Sequence, residues 1–239
     1  MARHQSILIT TGVNAPAGGS ALTYAESDAA AMHEVLTGPR GPAWTTAEHG
    51  NGALLTATAV DGYLRTLSGQ QPNFLAFYFA GHGSESGIAL ADRHYYFNEL
   101  VDRMAEIAPV RSLLVLDTCH AAGYQRALML KEAQTRPAGR LVHPWRAQLE
   151  QSVPGSRYMY AARIDQNSRE SPPYGGHFTW ALRHQLQTLR ADPGSTTGWI
   201  SDRHLFANAS ALMQHQFGPG QTPESWRLDG TLGIMQGVR

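Results

Sequence analysis

The chain has 239 residues, 42% of them hydrophobic and 16% charged, with 19 Lys plus Arg matching 19 Asp plus Glu. That is ordinary for a soluble globular protein with one sizeable buried core. The neutral balance and the lack of a long basic run argue against general nucleic-acid binding. The longest apolar runs, such as Phe74 to Ala80, fall far short of the roughly 20 residues a membrane span needs.

Taken in chain order, Met1 to Thr10 lacks the apolar stretch of a signal peptide, so a cytoplasmic location is expected. Ser6 to Thr10 reads as a short strand. Ser27 or Asp28 is placed to cap a helix whose Ala31, Met32, Val35 and Leu36 share one face. A second helix is expected from about Ala53 to Leu67. Phe74 to Ala80, bounded by Pro72-Asn73 and Gly81, has the unbroken apolar character of a strand buried on both faces.

Ile88 to Leu90 and His94 to Phe97 suggest a small hairpin, and Asn98 a cap for a helix to about Ile107. Arg111 to Leu116 is another apolar strand, and Tyr158 to Ala162 a further one. Helices are expected over Phe178 to Leu189 and Asp202 to His215, with an edge strand near Leu232 to Met235. Strands alternating with helices imply a mostly parallel sheet with helices on both faces, an α/β three-layer sandwich. Residues 1–239 read as one domain. Its least regular stretch, about 126–156, contains Arg126, Lys131, Arg136, Arg140 and Arg146 and reads as a long flexible loop.

Cys119 is the lone cysteine. It can form neither an intramolecular disulfide nor a multi-cysteine zinc site, so it is either a small buried hydrophobe or a reactive thiol. Its setting favours the second. The strand that ends at Ala80 runs into Gly81-His82-Gly83. The next apolar strand runs into Asp117-Thr118-Cys119-His120-Ala121-Ala122-Gly123. A histidine between glycines is poorly suited to core packing, and glycine lets a ligand approach the backbone closely. Both side chains would emerge at the carboxyl edge of a parallel sheet, where such folds bind ligands. An imidazole can take the proton of a thiol that is mostly protonated at neutral pH, and a helix N-terminus after Cys119 would favour the anion. His82 is then the general base and Cys119 the nucleophile. The N–H groups of Gly83 and Cys119 are candidates for an oxyanion hole.

These paired motifs resemble the His and Cys motifs of the clan CD peptidases of family C14, the caspases, metacaspases and their prokaryotic relatives. The second is similar to the metacaspase D-x-C-x-x-G form rather than the Q-A-C-x-G of animal caspases. Leu22 to Met32 resembles the first helix of the family, and Tyr158 to Ala162 with Gly176 to Thr179 its late strand and helix. The resemblance spans most of residues 6 to 190. It implies a caspase-like fold and a cysteine endopeptidase acting on protein or peptide substrates.

In metacaspase-like relatives the acid two residues before the cysteine helps to bind a P1 arginine or lysine. Asp117 holds that position, and Asp28 matches an acidic first-helix position of the same pocket. Two carboxylates suit a guanidinium, so cleavage after Arg, with Lys weaker, is expected. The basic stretch after the nucleophile corresponds to where many relatives carry processing sites. Self-cleavage, or activation by an upstream protease, is expected there, and the resemblance suggests a bacterial defence or cell-death setting. Some relatives need calcium, but no EF-hand-like loop is present, and no cofactor is expected. Two other classes of function compete: a catalytically silent interaction module and a thiol acyl hydrolase. The intact His82 and Cys119 count against the first, and the lack of a G-x-S/C-x-G elbow against the second.

Other residues are assigned plainer roles. His120 is structural or a substrate contact rather than the base. His94, His177, His184, His204 and His215 lack zinc-site spacing, so no metal site is expected. Asp165 and Glu170, in a polar loop before Gly175-Gly176, read as solvated surface or as substrate contacts, the first being favoured.

Overall fold

The computed structural model describes residues 5–50, 54–134 and 155–238. In chain order, β1 (Ser6–Gly12) leads to α1 (Ala25–Thr37), β2 (Thr46–His49), α2 (Ala57–Thr66) and β3 (Phe74–Ala80). Three short strands follow, β4 (Gly83–Ser84), β5 (Gly87–Ala89) and β6 (His94–Tyr96), and then α3 (Phe97–Ile107), β7 (Ser112–Asp117) and α4 (Gly123–Gln134). The remainder comprises β8 (Ser156–Tyr160), β9 (Glu170–Ser171), β10 (Gly175–Gly176), α5 (His177–Thr188), β11 (Trp199–Ser201), α6 (Asp202–Phe217), β12 (Glu224–Trp226) and β13 (Gly233–Gln236).

The main sheet has six strands in the order β12-β8-β7-β3-β1-β2, all parallel except β12. Side chains alternate across each strand and feed two separate cores. Ile7, Ile9, Phe77, Phe79, Leu114 and Leu116 meet α2, α3 and α4 on one face. Leu8, Ala76, Tyr78, Leu113 and Val115 meet α1, α5 and α6 on the other. This double burial explains why β3 and β7 read as unbroken apolar runs. The chain steps outward from β1 to β2, then crosses back to β3 on the other side of β1. The strand order therefore reverses between β1 and β3, and a crevice opens there at the carboxyl ends of the strands.

Several expectations need correction. Residues 126–134 are not loop but the body of α4, whose Ala, Leu, Lys, Glu and Gln are good helix formers. Leu128 is buried while Leu130 is exposed, so its apolar residues draw no single stripe that would announce a helix. The rest of the expected loop, 135–154, lies outside the described residues. Neither Ser27 nor Asp28 caps α1. The helix starts at Ala25, and the Asp28 backbone N–H already donates to the Tyr24 carbonyl. Helix α3 starts at Phe97, before Asn98, with the Glu99 carboxylate accepting from the Tyr96 N–H. The segment near Leu232 pairs with β11 as β13 rather than edging the main sheet. That edge is β12, three residues too short to stand out in sequence.

Candidate active site

Each of the two central strands delivers its motif through a tight turn. Gly81 follows β3 with φ of +153°, and a Cβ there would lie 2.7 Å from the Phe79 ring. Its N–H donates to the Asp117 carbonyl at 3.1 Å, tying the end of β3 to the end of β7. His82 emerges next. Its Nε2 sits 2.8 Å from the Ser20 carbonyl oxygen. A carbonyl only accepts, so Nε2 carries the hydrogen and Nδ1 keeps a lone pair.

Gly83 is packed so closely that a Cβ would meet Thr118 Oγ1 at 2.2 Å and the Cys119 carbonyl at 3.0 Å. The two motif turns therefore touch at a position only glycine can occupy. The Ala89 N–H donates to the His82 carbonyl, which makes His82 and Ala89 a bonded pair. Antiparallel ladders alternate, so Gly83, opposite Ile88, occupies a non-bonded position with its N–H pointing away from β5.

Cys119 lies beyond β7 and is half-buried. Its thiol donates to the Ser168 carbonyl at 3.8 Å. Burial raises its pKa, the Asp117 charge adds to this, and backbone hydrogen bonding at Ser168 and at Cys119 itself opposes it. The expected lowering by a helix N-terminus does not prevail, because α4 begins only at Gly123, after an intervening turn. The resting cysteine is a thiol. His120 turns away with φ of +53°. Its N–H donates to the Gln166 carbonyl and its Nδ1 to the Ile164 carbonyl. That is a structural role, one of the two expected for it.

Beside the cysteine, two acids are buried almost completely: Asp28 is 4% and Asp117 5% exposed. Asp117 Oδ1 accepts from Ser168 Oγ at 2.6 Å, and its Oδ2 accepts from the Thr179 N–H at 3.0 Å and Thr179 Oγ1 at 2.6 Å. Asp28 Oδ2 accepts from the Gly176 N–H at 2.8 Å. A Cβ on Gly176 would lie 2.8 Å from Asp117 Oδ2 and 2.9 Å from Asp28 Oδ2, so the carboxylates converge over this glycine. Burial first and Asp117 second push the Asp28 pKa up to about 7. Burial also raises Asp117, against the bonds from Ser168 and Thr179. Among the described residues, no Arg or Lys forms an ion pair with either acid.

One cleft is lined by Asp28, His82, Asp117, Cys119, Ser168 and Glu170, with Gly81, Arg169 and Gly176. The four side chains singled out from the sequence thus share a single site. Glu170 joins them, which is the less favoured of its two expected placements, and its carboxylate accepts from the Thr23 N–H at 3.1 Å. Ser168, Thr179 and Gln221 were not legible from the sequence. Gln221 is buried, accepts from the Arg169 N–H and donates to the Ala161 carbonyl and to Ser168 Oγ, holding the segment over the cleft. The one sequence signal for this region was the Gly175-Gly176 pair before α5. Among the described residues, no cluster of three or more His, Cys, Asp or Glu could hold a metal ion. No helix among them is long and apolar enough to cross a membrane.

The family profile described as Caspase domain matches residues 9–227. Among solved structures, the chain is similar to the crystal structure of caspase-1 from Spodoptera frugiperda, with a TM-score of 0.61 and 13% sequence identity, covering 94% of this chain and 86% of that one. No curated protein matches the chain significantly by sequence.

Proposed function

The chain belongs to the caspase-domain peptidases, a family of cysteine-type peptidases, and from that premise we propose that it cleaves protein substrates after arginine, with lysine weaker. The observation that carries this reading is the buried Asp28 and Asp117 pair, which opens into the same cleft as Cys119 and His82 and forms no ion pair among the described residues. A guanidinium entering there would supply the missing partner through charge-assisted hydrogen bonds.

In this reading Cys119 is the nucleophile and His82 the base. The Nδ1 lone pair of His82 takes the thiol proton as Sγ attacks the scissile carbonyl carbon. The resulting oxyanion accepts hydrogen bonds from the N–H groups of Gly83 and Cys119. The imidazolium then gives its proton to the leaving amine. Water, deprotonated by the same imidazole, hydrolyses the thioester and restores the thiol. The Ser20 carbonyl holds the ring in the tautomer this requires. Burial raises the pKa of the resting thiol, which in this reading couples proton transfer to His82 with the attack of Sγ.

Activation by cleavage in the 126–156 stretch is part of the proposal. Arg126 and Lys131 lie within α4, which makes them poor sites for an endopeptidase that needs extended chain. The remaining candidates, Arg136, Arg140 and Arg146, lie outside the described residues. A fluorogenic P1 panel with and without calcium tests specificity, and a denaturing gel of wild type against Cys119→Ala tests self-cleavage. Hydrolysis of Asp-P1 but not Arg-P1 peptides would reject the basic pocket, and intact bands in both proteins would reject self-processing.

A further inference from the structure

Asp28 and Asp117 come from elements far apart in sequence, α1 and β7, yet both are buried and their Oδ2 atoms converge over Gly176. Their hydrogen bonding is unequal. Asp117 accepts three bonds, two from hydroxyls and one from a backbone N–H, while Asp28 accepts one. Two like charges at such closeness and burial cannot both be held cheaply without a cation.

We propose that Asp28 and Asp117 act as one proton-sharing pair, and that a cationic P1 side chain enters only as the pair releases its proton to solvent. This deepens the basic-P1 reading above and rests on it. Each turn of binding and release would then move one proton: the carboxylic acid O–H breaks on entry, the proton passes to water, and the guanidinium hydrogen-bonds to two carboxylates in its place. The pair takes up a proton from solvent again when the product leaves.

The surroundings favour this. Glu170 faces the pair from β9 and adds repulsion to both acids. Arg183 on α5 is the guanidinium whose charge Asp28 feels, yet it makes no ion pair with it. Tyr78 approaches from β3, but its hydroxyl is engaged by Thr179 Oγ1. His177, at the start of α5, is bonded to Ser171 and stacked on Phe217. Arg169, His82 and Cys119 line the cleft itself. None of these neutralises the pair, and Asp28 is pushed up to about 7. The protonated pair carries one negative charge fewer and presents a donor to a donor. Affinity for a cation therefore falls as pH drops through that value.

The direct test uses the full chain with Cys119→Ala, which removes the thiol from the titration, and an N-acetylated Arg-P1 peptide without other titratable groups. Calorimetry in two buffers of different ionisation enthalpy counts protons. Binding should be about tenfold weaker at pH 6 than at pH 8, because only the deprotonated fraction is competent. Close to one proton should be released per peptide at pH 6, and almost none at pH 8.5. In kinetics, Asp28→Asn mimics the protonated pair. Its KM for the peptide at pH 8 should be at least as high as that of wild type at pH 6 and change little with pH. Tight Arg-P1 binding with no proton release overturns the shared proton and leaves the basic pocket standing. No Arg-P1 binding at any pH overturns both. If Asp28→Asn does not fold, the proton count decides alone.

Discussion

Two pairs of acids stand at different places in this molecule, one joining buried Asp202 to exposed Asp229 and one burying both members. In the proposed reading they differ in where their cation comes from. Under β8 and α6, Asp202 is fully buried and Asp229 lies beside it, and Arg157 closes both, with ion-pair distances of 2.8 Å to each. Arg157 also donates to Thr231 and to the Gly155 carbonyl. At the carboxyl edge of β7, Asp28 and Asp117 are both buried and, among the described residues, receive only neutral donors. The first cluster is complete within the chain and serves the fold. In the proposed reading the second is completed by a positive charge from the substrate, beside a thiol and an imidazole. Burial of acids alone therefore says little about function. A buried pair left without its cation in a cleft says much more.

The comparison can be broken or sharpened by substitution. The largest effect is expected at the reacting atom: Cys119→Ala should lower kcat/KM for any cleaved peptide by roughly a thousandfold or more, with the circular dichroism spectrum unchanged. Asp117→Ala should lower kcat/KM for an Arg-P1 peptide by roughly a hundredfold, since one member of a buried charge pair is removed. A loss of equal size with a neutral P1 would show a general structural defect instead. In the other cluster, Arg157→Met should cost about 3–5 kcal/mol of stability, because Asp202 is left as an uncompensated buried acid. Activity per folded molecule should stay near wild type, as judged by denaturant melts alongside active-site titration.

The smallest effect separates the clusters by sign. The pKa of Asp28 is raised in the folded chain, from 3.8 to about 7. The unfolded chain therefore releases this proton at lower pH than the folded one, and the stabilising contribution fades as pH rises through about 7. Asp28→Asn should raise Tm by a few degrees at pH 8 and leave it nearly unchanged at pH 4. Asp229 is shifted the other way, to about 2, by the Thr231 and Arg157 bonds outweighing burial. Asp229→Asn should therefore lower Tm at pH 7. Scanning calorimetry at the two pH values checks both signs.

Much of the architecture was legible because its signals are local. The unbroken apolar runs of β3 and β7, the glycines around His82 and the Cys119 turn are all contiguous in sequence. The edge strands β2 and β12 were not legible, since each is short and its pairing partner supplies most of its definition. A helix after Cys119 was expected, but its run through residues 126–134 was not, because the apolar residues of α4 form no clean stripe. In the site, Cys119, His82, Asp117 and Asp28 could be named from motifs, whereas Ser168, Thr179, Glu170 and Gln221 could not. Ser168, Glu170 and Gln221 lie in later segments that fold over the cleft and Thr179 in the first turn of α5, about 50 to 100 positions after the Cys119 motif with no spacing rule to connect them. The role of Asp28 was blurred in sequence for a related reason: an acid near a helix start is first read as a cap.

The central claim is that the Asp28 and Asp117 pair awaits a cation from the substrate. The most direct measurement compares three peptides that differ only at P1, carrying arginine, its uncharged isostere citrulline, or aspartate, at pH 8 with the full chain. Arginine should be cleaved with a kcat/KM roughly a hundredfold or more above citrulline, and aspartate should not be cleaved. Equal rates for arginine and citrulline, or cleavage of the aspartate peptide alone, would contradict it.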